Sequence, residues 1–425
     1  MVWKVTGRMH RAIQALLTLA VILCALFLGF SRLLYPEFIG AFRTFTLASV
    51  VLIHLRIRPK WVDVLLIVLI TAFLITVRFY MFHYPPRIMA GLSFSGLSSF
   101  VVIVVRSIWD RERRLLLYAW VPAASFVFTD HFGSRVHDWI ANAHPKTLDL
   151  YLLSFDGSLR VQPAFIVGQY CARLPWLHNA AVLAYVGLAI PMALVYAGLL
   201  ARFKEGAFPS ILAFLITGPI GFLCYNLFPA CGPHYVFKQA FPFHPLPVAL
   251  ISQLAFEPAA FSGWRNAMPS LHLAWTLLAW WYSKGLSWIE RLIAFVFLAL
   301  TVVATLGTGE HWFVDLIVAF PYALMIYAIC SYPVSWKDPR RGTALVLGLG
   351  GTLGWMAMLR YGAELFWTSP IVPWALAAAT VALVLLRQSK LDAVAHLEKL
   401  AAAAHSAPAL FPGERAPDLV GRVRA

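Results

Sequence analysis

Charge is what this chain has least of. Asp and Glu number 19 among 425 residues, and all charged residues together make up 12% of the sequence, against roughly 25% in soluble domains. Hydrocarbon takes the place of charge: 61% of residues are hydrophobic and the mean hydropathy is +0.75. That balance excludes a soluble enzyme and implies an integral membrane protein. Cysteine is also scarce, with Cys24, Cys171, Cys224, Cys231 and Cys330 showing neither paired spacing nor a Cys-x-x-Cys, which excludes a disulfide framework and a cysteine zinc site. No internal repeat is visible. The formal net charge of +15 does not imply a nucleic-acid partner, because Lys and Arg stand in short clusters between apolar runs and read as topology signals.

Apolar runs near the ~20 residues that cross a bilayer recur from end to end. Lys4, Arg8 and Arg11 precede the run 12–30, no small-residue cleavage pattern follows it, and it is expected to be a retained first span. Further spans are expected at 38–55, 61–77, 88–105 and 115–128, then at 180–200, 208–228, 268–282, 288–306, 311–332, 343–359 and 371–386. Between the two groups, 130–160 is expected on the outer surface and 161–174 as an interfacial helix that does not cross. The fold expected is thus all-α, a polytopic membrane protein of about twelve transmembrane helices. Its parts would be N-terminal helices to which the sequence assigns no role (1–130), a catalytic membrane core (131–335), a C-terminal transmembrane hairpin (336–390) and a cytoplasmic, partly disordered tail (391–425). Basic clusters at Arg56, Arg58 and Lys60, at Arg106 to Arg114, at Arg202 and Lys204, and at Lys337 to Arg341 place both termini in the cytoplasm.

Polar side chains with chemical potential gather between Trp264 and Tyr322. One segment reads Trp264-Arg265-Asn266-Ala267-Met268-Pro269-Ser270-Leu271-His272, the other Gly307-Thr308-Gly309-Glu310-His311-Trp312-Phe313-Val314-Asp315. On a helix, His311 and Asp315 share one face, so the carboxylate can hold one imidazole nitrogen and leave the other free to act. Pro269 reads as a first helical position, placing His272 about one turn into its helix. By the topology above, both histidines fall at the outer face. Taken singly, His272 reads equally well as an ordinary buried histidine, Glu310 as a helix-start cap, and His234 and Lys238 as loop or interface residues.

Together, Pro269-Ser270-Leu271-His272 and His311-x-x-x-Asp315 resemble the type 2 phosphatidic acid phosphatase superfamily, nearest its inositol phosphorylceramide synthase-like branch. Thr147-Leu148-Asp149 through Phe155-Asp156-Gly157, and Phe228-Pro229-Ala230-Cys231-Gly232-Pro233, fit that branch as well, so the resemblance covers roughly 147–332. It implies a six-helix phosphatase-like core in which His311 is the nucleophile, Asp315 its orienter and His272 the general acid. It implies no metal or other cofactor, a phospholipid or other lipid phosphate as substrate, and water or a lipid hydroxyl compound as acceptor. The superfamily's Lys followed after six residues by Arg-Pro is absent, and Thr305 stands where its Arg lies six residues before the nucleophile. Arg265, Lys238, His234 and the backbone amides near Ser270 are the expected phosphate ligands instead, and so little positive charge favours diester chemistry. The function expected is a lipid phosphatase or phospho-headgroup transferase at the extracytoplasmic side of a bacterial inner membrane. The alternatives are a polytopic lipid transporter or flippase, and a metal-dependent hydrolase that uses His272, His311 and Asp315 as ligands.

Overall fold

A computed structural model describes residues 41–83, 87–109 and 113–406. The expected first span at 12–30, the start of the next at 38, and the end of the tail lie outside these residues. The described residues are helical, and their one extended pairing is an isolated antiparallel bridge between Thr147 and Ala259. In chain order the helices are α1 (Ala41–Arg56), α2 (Trp61–Phe82), α3 (Ile88–Trp109), α4 (Arg113–Ala143), α5 (Asp149–Ser158), α6 (Pro163–Arg173), α7 (Pro175–Val186), α8 (Ala189–Phe203) and α9 (Phe208–Leu227). They continue as α10 (Pro233–Phe237), α11 (Val248–Ile251), α12 (Leu271–Tyr282), α13 (Trp288–Gly307), α14 (Phe313–Cys330), α15 (Pro339–Tyr361), α16 (Ala363–Trp367) and α17 (Ile371–Ser406).

Seven of these, α2, α3, α9, α13, α14, α15 and α17, are long and apolar enough to cross a membrane, which makes the chain an integral membrane protein. The expected single span at 180–200 is two helices, α7 and α8, bent by 55°. Pro191 is the cause: it offers no N–H, and its ring collides with the carbonyl of Gly187 four residues back in a continuous helix. The break falls there, with the Ile190 amide donating to Gly187 in a tighter turn at 2.9 Å. α4 runs on through 130–143, where a surface segment was expected. α17 continues without interruption past residue 386 into the expected tail, with Leu391, Val394 and Ala395 buried.

α14 is the central helix. Its crossing window is 83% buried, against 17% for α2, and it is apolar on every side, as a helix with no lipid-facing stripe must be. α15 lies directly on it at Gly348, where a Cβ would stand 2.5 Å from the Met325 nitrogen; only glycine permits that approach. The last carbonyls of α14 have no partner within the helix. Buried Arg341 meets them, its Nε, Nη2 and Nη1 donating to the carbonyls of Ala328, Ile329 and Val334 at 2.9, 2.9 and 2.6 Å.

One end of the bundle is tied by Glu290. Its carboxylate accepts from the Ser287 amide and hydroxyl at 2.9 and 2.7 Å, capping α13, and pairs with Arg56 at 2.6 Å and Arg202 at 3.7 Å. Nearby, Lys284 pairs with Asp392 at 3.1 Å, and the Tyr327 hydroxyl donates to the same carboxylate at 2.7 Å. The arginines are 43% and 38% exposed, so solvent screening leaves each pair under ~1 kcal/mol, and the cap is the larger contribution. Glu290→Ala should therefore destabilise the purified protein by about 1–2 kcal/mol, and Arg56→Ala by less than half of that, measured as the change in thermal melting.

Candidate active site

Four separate stretches of sequence meet around α5. This short helix carries two buried carboxylates, which is costly unless each is met by donors. Asp149 Oδ1 accepts from the Gly232 amide and from Trp312 Nε1, both at 2.9 Å, and Oδ2 accepts from the Cys231 amide at 3.0 Å. Asp156 Oδ2 accepts from the Phe313 amide, the first of α14, at 3.2 Å. Backbone bonds close the frame: Leu148 to Pro229 at 2.7 Å, Ala267 to Ala230 at 3.0 Å, His234 to Gly309 at 2.9 Å. Gly232, at φ 105°, passes so close to Glu310 that a Cβ would lie 2.4 Å from its carbonyl oxygen. The two stretches around α5 and Cys231 are thereby the mount for the loop that bears His311.

His311 stands immediately before α14, with Trp312 at the helix cap. Asp315 Oδ2 accepts the Trp312 amide at 2.8 Å, and the Ser270 amide donates to the Asp315 carbonyl at 3.2 Å, joining the two histidine segments. The His311 ring is 1% exposed. Its Nδ1 lies 2.9 Å from the Ala267 carbonyl oxygen and 3.5 Å from Asp315 Oδ2. Both neighbours are acceptors, so Nδ1 carries the hydrogen and the lone pair is on Nε2. Nε2 is buried and has no partner among the described residues. Asp315 faces one imidazole nitrogen, but the shorter bond goes to a backbone carbonyl.

His272 is the second residue of α12. Ser270, not Pro269, sets the start: its side chain accepts from the Leu273 amide at 3.4 Å as the cap, and Pro269 lies outside the helix, after a cis peptide bond. His272 is therefore nearer the helix end than the sequence implies. Its ring centroid is 6.4 Å from that of His311, and it stacks on Tyr185 at 3.8 Å with 15° between the planes. The amides of Leu271 and His272 donate to no backbone carbonyl among the described residues. They leave the positive end of α12 open beside the two rings.

The expected phosphate ligands are placed differently from one another. Arg265 is buried and its donors are committed to the loop: Nε to the His144 carbonyl at 2.9 Å, Nη2 to Pro145 at 3.2 Å, and Nη1 to the Gly263 carbonyl and the Cys231 sulfur. Ser270 is buried; its hydroxyl oxygen accepts the Leu273 amide and its own amide donates to the Asp315 carbonyl. His234 is exposed and joined to the site through its backbone, with its ring edge-on to Tyr235 at 5.4 Å. Lys238 is exposed, in a left-handed conformation at φ 49°. Thr305 turns its hydroxyl back to the Thr301 carbonyl at 2.8 Å. No hydrogen bond, ion pair or ring contact of His272 or His311 involves Lys or Arg among the described residues.

Other members of the site carry no signal in the sequence. The Ala267 acceptor is a backbone atom, and Tyr185 and Tyr235 are ordinary aromatics in an aromatic-rich chain. Glu310 is not the cap of α14, since Asp315 takes the amide of the cap residue Trp312 and Asp156 the first amide of the helix; the Tyr235 hydroxyl lies 3.4 and 3.5 Å from the two Glu310 oxygens. Burial raises the Glu310 carboxyl above the usual range even with His311 and His234 nearby, and burial beside Glu310 pushes the Tyr235 hydroxyl up to about 12. A carboxyl raised on folding stabilises the fold when protonated and loses that contribution as the pH rises through its folded value. Glu310→Gln should therefore gain stability relative to the native protein between pH 4 and pH 7, by about 1 kcal/mol per pH unit of the upward shift, in melting curves recorded across that interval.

Residues 150–329 match the family model described as PAP2 superfamily, while comparisons with curated proteins and with solved structures found no match. The matched stretch runs from α5 to the end of α14 and contains both histidines, Asp156 and Asp315; the helices before it and α15 to α17 lie outside it. The match thus supports the PAP2 superfamily, a family of phosphoesterases and phosphotransferases, for the part of the chain that bears the site.

Proposed function

We propose that this protein cleaves or transfers the phospho-group of a membrane lipid through a phosphohistidine at His311, in chemistry most like that of inositol phosphorylceramide synthases. One observation carries the reading. A buried imidazole has its Nδ1 hydrogen held by Ala267 and Asp315 and its Nε2 lone pair unengaged, with a second imidazole 6.4 Å away, ring to ring.

In the first half-reaction Nε2 of His311 attacks phosphorus, and the bond from phosphorus to the lipid alcohol oxygen breaks. His272, as the imidazolium, donates its proton to that oxygen. The charge that develops on the His311 ring is met at Nδ1 by the Asp315 carboxylate. In the second half-reaction neutral His272 takes a proton from water or from an acceptor hydroxyl. The resulting oxygen attacks phosphorus, and the P–N bond returns its electron pair to Nε2. A phosphatase and a headgroup transferase share the first half and differ only in what resolves the second. No step uses a metal or another cofactor.

The amides at the start of α12 are the phosphate ligands in this reading, with His234 and Lys238 at the rim of the site and Arg265 supporting the loop. Amides without a Lys or Arg beside them suit a phosphodiester with one negative charge better than a dianionic monoester. The substrate's acyl chains stay in the bilayer. α13, 20 residues long and so ~30 Å from end to end, has Glu290 with Arg56, Arg202 and Lys284 near its start and leads to His311 at its finish. The positive-inside rule assigns the basic end to the cytoplasm and the histidines to the extracytoplasmic side, in a bacterial inner membrane. The count of about twelve crossings around a six-helix core belongs to this proposal as well.

The test uses purified protein in chelator-containing detergent with phosphatidic acid, phosphatidylinositol, and phosphatidylinositol plus ceramide or diacylglycerol. Release of free phosphate identifies a phosphatase, and a new phospholipid formed only with acceptor identifies a transferase. His311→Ala should reduce turnover to background, and His272→Ala should reduce it about 10²–10⁴-fold, as loss of a general acid does. Undiminished turnover in His311→Ala would sink the phosphohistidine, and lipid movement between leaflets without turnover would favour a transporter.

A further inference from the structure

His272 differs from His311 in how it is held. His311 has a carbonyl and a carboxylate on Nδ1, the usual means of fixing an imidazole. The His272 ring makes no hydrogen bond to any described residue. Its contacts are aromatic: Tyr185 face to face at 3.8 Å and 15°, Trp275 edge-on at 6.3 Å and 88°, and His311 at 6.4 Å. Of these only Tyr185 lies flat against the ring at contact distance. Tyr185 is half-buried and forms part of the site wall beside His272.

The local fold explains why the tyrosine arrives there. Tyr185 is the penultimate residue of α7, at the 55° bend that Pro191 forces. The Gly187 amide donates to Leu183 at 2.9 Å to close the helix, and a Cβ on Gly187 would stand 2.7 Å from that same carbonyl oxygen. A straight crossing at this point would carry the last turn of α7 along another axis.

We propose that Tyr185 is the positioning residue for His272, holding its imidazole in the orientation from which it protonates the departing lipid oxygen. This inference rests on the phosphotransfer reading above. The physical content is twofold. The stack fixes the ring plane, so that one nitrogen faces the oxygen released from phosphorus. The negative face of the phenol ring also favours the imidazolium over the neutral imidazole, in apolar surroundings where no carboxylate does so. When the proton passes to the alkoxide oxygen as the P–O bond breaks, the ring becomes neutral and keeps the stack. It is then ready to accept the acceptor's proton in the second half-reaction.

A residue that serves the general acid matters in proportion to the leaving group's need for a proton. A diacylglycerol alkoxide is strongly basic and needs one; a p-nitrophenolate leaves without one. The experiment compares two pairs on the full-length protein: phosphatidic acid with p-nitrophenyl phosphate, and phosphatidylinositol with the p-nitrophenyl ester of inositol phosphate. Whichever pair the native enzyme turns over is then used. Tyr185→Leu should slow the lipid substrate about tenfold more than its p-nitrophenyl counterpart, the scale of one aromatic–cation contact. Tyr185→Phe keeps the face and should leave both rates within about twofold of native. Both substrates are read on one preparation, so a partly unfolded variant lowers both rates together and leaves their ratio unchanged. Equal slowing of the two substrates in Tyr185→Leu would overturn the inference, as would a native ratio, or a Tyr185→Phe as selective as Tyr185→Leu. A native protein silent on all four substrates would overturn the phosphotransfer reading and this inference with it.

Discussion

The structure depends on a pair of buried carboxylates that do no chemistry themselves. Asp149 and Asp156 sit on a ten-residue helix, and between them they take the Cys231 and Gly232 amides, the Trp312 indole and the first amide of α14. A charge in such surroundings is tolerable only while its donors stay in place. Asp149, with both oxygens met, fixes the His311 loop against the loop from Phe228 to Pro233, while Asp156 adds a single bond and keeps its Oδ1 without a partner among the described residues. Everything proposed for His311 presupposes that fixed loop. The C-terminal hairpin adds to the same frame: Trp367 Nε1 donates to Ser154 on α5 at 2.9 Å, and Phe366 packs edge-on against Phe155 with ring centres 4.9 Å apart. Helices outside the family-matched segment thus brace the element that carries the aspartates.

From that frame follows an economy of charge. The site has two histidines, one aspartate opposite His311, a glutamate at the rim and the open start of a helix. Its nearby arginine is committed to carbonyls of the loop. In the proposed reading such a site would hold an anion through oriented amides rather than through cations.

Much of this was legible in the sequence, and the rest was not, for definite reasons. Spacing gave the His311 and Asp315 pair, although His311 stands before α14 and meets the carboxylate from the loop rather than from a shared helical face. Apolar run length gave α2, α3, α9, α13, α14 and α15, because a bilayer demands a fixed number of residues. The misreadings arose where a local signal has two outcomes. Pro269 can open a helix or precede its cap, and here Ser270 is the cap. Pro191 can sit quietly in the first turn of a helix, and it does, but a first turn requires the preceding helix to have ended, and hydropathy does not show that break. Arg265 was read by its charge, whereas the backbone carbonyls that consume it carry no residue signature. Tyr185 was invisible for the same reason, since a stack depends on where a bend points a side chain.

The most direct measurement is to mix the native protein with a phospholipid radiolabelled at phosphorus, quench within the first turnover in alkali, and map the bound label. The account predicts an alkali-stable, acid-labile label on the peptide that contains His311, absent from His311→Ala. Turnover with no bound label on the native chain, or with label on a residue other than His311, would contradict it.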